Sequence, residues 1–118
     1  MRATFLTSLD VRCLGGKDWM LLAPFIVIAG DRLIRVPSGF VTDFASVPRI
    51  PLAFVLFGGI GDRAATIHDY LYSTGQVSRH EADEILRDLL KEEGAGSIRA
   101  SLMYAGVRVG GSGHYKGS

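Results

Sequence analysis

The order of hydrophobic and polar residues predicts strands in the first third of the chain and helices in the second half. Apolar and polar side chains alternate along residues 3–14, which is the period of a half-buried strand. Residues 19–28 are almost continuously apolar and are interrupted by Pro24, as expected for a buried strand with a bend or an edge at the proline. Residues 32–36 alternate again. Glycine-containing turns separate these three segments. The segments and turns together predict a short antiparallel β-meander.

Helical periodicity begins after residue 60. Asp62 is a candidate N-cap for a helix that starts at Arg63 and ends at Gly75, a residue suited to a left-handed C-terminal cap. Ser78 and Glu81 have the spacing of a capping box and predict the start of a second helix. Several apolar residues share one face of this second helix and predict the side that enters the core: Ala82, Ile85, Leu86, Leu89 and Leu90.

A third helix is predicted from Ile98 to about Val109, with Ser97 as its cap. The predicted fold class is therefore α+β, with the β-meander packed against three C-terminal helices. At 118 residues the chain fits a single domain, which we place at residues 1–109. Residues 110–118 are glycine-rich and polar and predict a flexible tail.

Composition and charge argue against several classes of protein. Thirteen basic and twelve acidic residues give a net charge of +1, which is not the one-sided positive field of a typical nucleic-acid-binding protein. The longest apolar run, residues 50–60, is well short of the roughly 20 residues that a membrane-spanning helix needs. Cys13 is the single cysteine and has no partner in the chain for a disulfide. We expect a globular protein without nucleic acid or a membrane span.

A proline-rich loop, residues 36–51, is the first candidate for a functional site. It holds three of the four prolines, each of which fixes its own backbone and restricts the residue before it. Apolar residues within the loop predict that it is anchored to the core, and loops held in this way often carry function. Its candidate functional side chains are polar: Ser38, Thr42, Asp43, Ser46 and Arg49.

Asp43, His68, Asp69 and Asp83 provide the side chains needed for a metal site or for general acid-base catalysis. Structural roles also explain them. His68 is able to bond a loop carbonyl or the Asp43 carboxylate. Asp83 lies one helical turn after Arg79 and one turn before Arg87, the spacing of a surface ion pair. His68 and Asp69 are neighbours that point about 100° apart on a helix, which counts against their sharing one metal ion.

Three segments of the chain resemble one known family. They are residues 36–49 (VPSGFVTDFASVPR), residues 63–72 (RAATIHDYLY) and residues 78–83 (SRHEAD), in this order. In them the chain is similar to the DUF1353 family of small bacteriophage and prophage proteins, over about residues 30–109. The resemblance implies a phage-encoded protein from among structural and lysis genes, and it brings no established catalytic residue.

One hypothesis is that the chain is a virion component made in the host cytoplasm. It would be a small structural protein of the tail or baseplate that acts through contacts with other virion proteins, in several copies and without a cofactor. The near-neutral charge and the lack of a convincing nucleophile favour this hypothesis. The polar residues would then form a structural lock that joins the proline-rich loop to the helices: Asp43, Ser46, Arg49, His68, Asp69 and Arg79.

The alternative is a metal-assisted hydrolase directed at the cell wall. A divalent metal would be held by Asp43, His68 and Asp69, and catalysis would use these residues together with Asp83, one carboxylate serving as the general base. The sequence leaves open whether the protein is an enzyme.

Overall fold

The structure is a computed structural model that describes residues 2–16, 18–43, 61–110 and 112–115. Within these residues, six strands precede three helices, and this confirms the α+β class. The strands are β1 (Ala3–Phe5), β2 (Val11–Gly15), β3 (Asp18–Leu21), β4 (Phe25–Ala29), β5 (Arg32–Val36) and β6 (Val41–Thr42). The helices are α1 (Asp62–Thr74), α2 (Arg79–Glu92) and α3 (Ser97–Gly110), and a short 3-10 turn, Ser112–His114, follows.

The strands divide between two three-stranded antiparallel sheets. The first sheet has the order β1-β4-β5 and the second has the order β2-β3-β6, so the β2-β3 hairpin lies between β1 and β4 in the chain. Thr7 accounts for the end of β1, since its hydroxyl accepts the Ile26 amide at 3.0 Å where a strand carbonyl would otherwise do so. Pro24, which has no amide hydrogen, lies between β3 and β4. Pairing between distant strands therefore decides the sheet arrangement.

The core lies between the inner face of the first sheet and the helices. Helix α2 is central, because it packs against α1, α3 and β1. All five residues predicted on the core face of α2 are buried, which confirms the helical pattern. The sheet contributes alternate residues of β4 and β5: Phe25, Val27, Ala29, Ile34 and Val36.

The ends of the helices follow the predicted caps at Ser78 and Gly75 but not at Asp62 or Ser97, and Ser97 is itself the first residue of α3. The Ser78 hydroxyl accepts the Glu81 amide at 3.0 Å, which confirms the start of α2. Gly75 is left-handed with φ +65° and its amide bonds the Leu71 carbonyl, which confirms the end of α1. The prediction that Asp62 is the N-cap of α1 is wrong. The N-cap is Gly61, with φ +113°, a conformation that glycine adopts without steric cost.

Glu93 replaces the missing cap of α1. Its side chain is only 3% exposed, and it follows the last residue of α2. One carboxylate oxygen accepts the Ala64 amide at 2.8 Å, and the other accepts the Gly61 amide at 3.2 Å and Arg63 Nε at 3.3 Å. The start of α1 is therefore satisfied by a carboxylate from the end of another helix.

The chain beyond α3 folds back towards the gap between α1 and α2. Tyr115 donates a hydrogen bond to the Val77 carbonyl at 2.8 Å, and its ring meets that of Tyr72 edge to face at 5.3 Å. Among the described helices, none is both long and apolar enough to cross a bilayer.

Candidate functional site

Asp83 is the centre of a buried polar cluster that joins all three helices. Its Oδ1 accepts a hydrogen bond from the Tyr72 hydroxyl at 2.6 Å and lies 2.6 Å from His68 Nε2. Its Oδ2 accepts a hydrogen bond from Arg108 Nη1 at 2.8 Å. His68 and Tyr72 lie one turn apart on α1, and Arg108 is in the last turn of α3. We call these four residues the Asp83 cluster.

Burial determines the protonation of the cluster. The pKa of His68 is lowered by burial, against the opposing effect of Asp83, so the neutral ring donates its Nε2 hydrogen to the carboxylate. Burial and the Asp83 carboxylate raise the pKa of the Tyr72 hydroxyl, which stays protonated and donates as well. Burial would raise the pKa of Asp83, but the hydrogen bonds from His68, Tyr72 and Arg108 lower it overall. Asp83 and Arg108 are thus the charged pair.

The prediction that Asp83 forms a surface ion pair is wrong, because the Asp83 side chain is 0% exposed. Asp83 precedes the buried Leu86 and Leu90 by one and two turns, so it lies on the face of α2 that enters the helix interface. Neither neighbouring arginine pairs with it. Arg79 binds α3, and the Arg87 guanidinium stacks 4.5 Å from the ring centre of Tyr104.

Arg79 joins α2 to the end of α3. Its Nη2 donates to the Val107 carbonyl at 2.8 Å and to the Arg108 carbonyl at 2.6 Å. Carbonyls in the last turn of a helix have no partner within the helix, and a cation beside them is favoured by the helix dipole. The last turn of α3 therefore contacts α2 in two ways. Its backbone carbonyls accept hydrogen bonds from Arg79, and its Arg108 side chain donates to Asp83.

Asp69 and the following residue, Tyr70, hold the start of the proline-rich loop against α1. Asp69 Oδ2 accepts the Thr42 hydroxyl at 2.6 Å, and the ring of Tyr70 meets that of Phe40 edge to face at 5.3 Å. These two contacts connect the start of the loop to α1. Asp43 is half-buried. Two further predicted members, Ser46 and Arg49, lie outside the described residues, as do the rest of the loop and the apolar run at 50–60.

The arrangement of the described side chains sets the chemistry that is available to them. In residues 2–16, 18–43, 61–110 and 112–115, no three His, Cys, Asp or Glu side chains are grouped so as to hold a metal ion. His68 Nε2 is taken up by Asp83, and both side chains are 0% exposed. In this conformation they connect helices and are out of reach of a substrate.

Sequence reasoning missed three members of this polar framework. Tyr72 had a local signal, since it lies four residues after His68 and shares its helical face. Arg108 and Glu93 had none, because each acts on a residue at least 25 positions away in the chain. Long-range partners of this kind depend on helix packing, which periodicity does not specify.

A known family model matches most of the chain. Residues 19–107 match the model of a family described as "Protein of unknown function (DUF1353)". The matched region begins in β3 and ends in the last turn of α3, so it includes the Asp83 cluster apart from Arg108. No curated protein and no solved structure matches the chain significantly.

Proposed function

Since the chain belongs to the DUF1353 family, we propose that it is a small structural component of a bacteriophage particle, in the tail or baseplate, which acts by binding other proteins. The phage setting is taken from the resemblance of the loop and helix segments to that family. The mode of action is taken from the surface and the interior of the fold.

The proposal depends on the outer face of α3. Ile98, Leu102 and Val109 are 79%, 61% and 88% exposed, and Ala105 lies between the last two on the same face. The opposite face of the helix is buried through Ala100, Met103 and Val107. A helix that is apolar on two opposite faces is typical of one that is covered on both sides. A partner protein that covers the outer face is therefore the expected state.

The interior of the fold supports the same function. The hydrogen bonds of the Asp83 cluster connect the three helices to one another. One carboxylate oxygen of Asp69 accepts a hydrogen bond from Thr42 in the loop. A hydrolase built on Asp43, His68 and Asp69 or Asp83 would need a histidine and a carboxylate that a substrate can approach. Buried and mutually bonded groups serve the stability of a binding module instead.

The test is co-sedimentation with particles. Particles produced by the phage or prophage that encodes the chain are purified on a density gradient, and mass spectrometry measures the chain relative to a major particle protein. We expect a fixed ratio across the particle peak. Leu102→Glu should reduce the particle-bound fraction by about tenfold or more, because it places a charge in an apolar contact.

Gln76→Glu is the matched control, since it adds the same charge at an exposed position in the link between α1 and α2. Both variants should retain the circular dichroism of the unmodified protein. A chain that stays at the top of the gradient while particles sediment would overturn the proposal. Stoichiometric metal on the purified chain, lost in Asp43→Asn and His68→Ala with the fold intact, would favour the hydrolase.

A further inference from the structure

A small pocket lies between the second sheet and the start of α1. Its volume is about 230 Å³, and its described lining is Leu9, Val11, Trp19 and Asp62. Pockets for whole cofactors or drug-sized ligands are larger, at roughly 300–1,000 Å³. This pocket instead has the size of a single side chain, and its described lining consists of three apolar side chains and one carboxylate.

No cation of a described residue lies beside the Asp62 carboxylate. Among the described residues, none forms a hydrogen bond or an ion pair with this side chain, and the adjacent Arg63 binds Glu93 at 3.3 Å. Asp62 is an exposed residue, and the partial burial of its carboxyl raises the pKa of that group. A cation that reached the carboxylate would offset the desolvation and favour the ionised form.

We propose that this pocket receives a lysine or arginine side chain of the partner protein. The aliphatic stem would lie against Leu9 and Val11, and the charged end would pair with Asp62. Trp19 would supply an aromatic face for the cation. The inference deepens the proposed function, on which it rests, by specifying a basic residue as one contact of the partner.

The pocket contains its own reporter, because Trp19 is the single tryptophan of the chain. The indole N–H therefore gives one side-chain signal in a ¹H–¹⁵N correlation spectrum of the full-length protein. The probes are the Nα-acetyl amides of lysine and arginine, and the Nα-acetyl amide of norleucine is the uncharged analogue of similar length. We expect a saturable shift of the indole signal with the basic probes and binding at least about tenfold weaker with norleucine.

Asp62→Asn should weaken the basic probes by at least about tenfold and leave norleucine unchanged, since only the charged contact is lost. Asp18→Asn is the matched control, because it removes the same charge from an exposed residue next to Trp19 that does not line the pocket. Equal binding of norleucine and lysine, or no shift with any probe, would overturn the inference. Either result leaves the co-sedimentation test of the proposed function untouched, so the two failures are distinguishable.

Discussion

At the scale of single residues, Asp83 is the side chain on which the helix interface depends most. We expect Asp83→Asn to lower the free energy of unfolding by roughly 2 to 4 kcal/mol. The amide oxygen is able to accept from His68 and Tyr72, but the amide nitrogen would then face the Arg108 guanidinium, donor against donor. Urea unfolding at neutral pH measures the change.

Glu84→Gln is the control for that measurement. Glu84 is the next residue on α2; it contacts His80 Nε2 at 3.2 Å and forms a partly exposed ion pair with Arg87. Pairs of this kind contribute less than about 1 kcal/mol, so the control should unfold nearly as the unmodified protein does. Equal stabilities of the two variants would show that the Asp83 cluster does not stabilise the helix interface.

Acid should destabilise the protein in two stages. Burial keeps the pKa of His68 below its usual 6.5, so below about that pH the unfolded chain takes up a proton that the folded protein does not. The pKa of Asp83 is likewise lowered from 3.8, and protonation on unfolding adds a second loss below that value. Stability is therefore complete above pH 6.5 and decreases as pH falls through each window.

His68→Gln isolates the first stage. The variant should be less stable at pH 7 but should lack the decline below pH 6.5 that His68 causes, because glutamine does not titrate. Urea midpoints measured from pH 8 to pH 4 test this. An unchanged slope in the variant would assign the acid sensitivity to other groups.

The residues of the site were only partly predictable. The sequence singled out His68, Asp69 and Asp83 as chemically important, and all three are engaged in hydrogen bonds. It placed Asp83 at the surface because the flanking arginines offered a local explanation. Whether a carboxylate is buried depends on how the three helices pack together. The helical periodicity of apolar residues shows which face of a helix enters the core, but it does not show which polar side chain lies within that face.

At the scale of elements, Glu93 sets the start of α1. We expect Glu93→Ala to cost about 1 to 3 kcal/mol of unfolding free energy, because it leaves the Gly61 and Ala64 amides without their acceptor in a partly buried site. Glu92→Ala is the matched control, since Glu92 is the exposed preceding residue. Chemical denaturation of both variants measures the difference. A loss of the same size in each would mean that helix propensity, and not the cap, is responsible.

Element types were predicted more reliably than their partners. β5 appears where alternation placed it, and α2 and α3 begin within a residue of their predicted starts. The first two apolar segments each became two strands, because Thr7 and Pro24 interrupt them. The division into two sheets was not accessible from local pattern, since β1 pairs with β4 and β3 pairs with β6 across intervening chain.

At the scale of the whole molecule, the fold has the dimensions of one cooperative unit. The radius of gyration is 12.9 Å, close to the roughly 13.5 Å expected for a single domain of this length. The first sheet packs against the helices, and the second sheet reaches them through β6 and α1. We expect the sheets and the helices to unfold together.

Thermal and urea unfolding test this cooperativity with two probes. Trp19 fluorescence reports the second sheet, and far-ultraviolet circular dichroism reports mainly the helices. Coincident transitions with one midpoint are the expected result for a two-state domain. An earlier fluorescence transition would mean that the second sheet melts independently and that residues 1–109 are not a single folding unit.

The carboxylate cap from Glu93 also has a consequence for synthesis on the ribosome. Chain growth is vectorial, so Gly61 leaves the exit tunnel 32 residues before Glu93, the acceptor of its amide. Until then water must solvate those amides, and the nascent helix is frayed at its N-terminal end. The strands emerge first. The start of α1 gains its hydrogen-bond acceptor only when Glu93, which follows α2, has emerged. A chain released without residue 93 would therefore carry a first helix whose start stays frayed and open to proteases and chaperones.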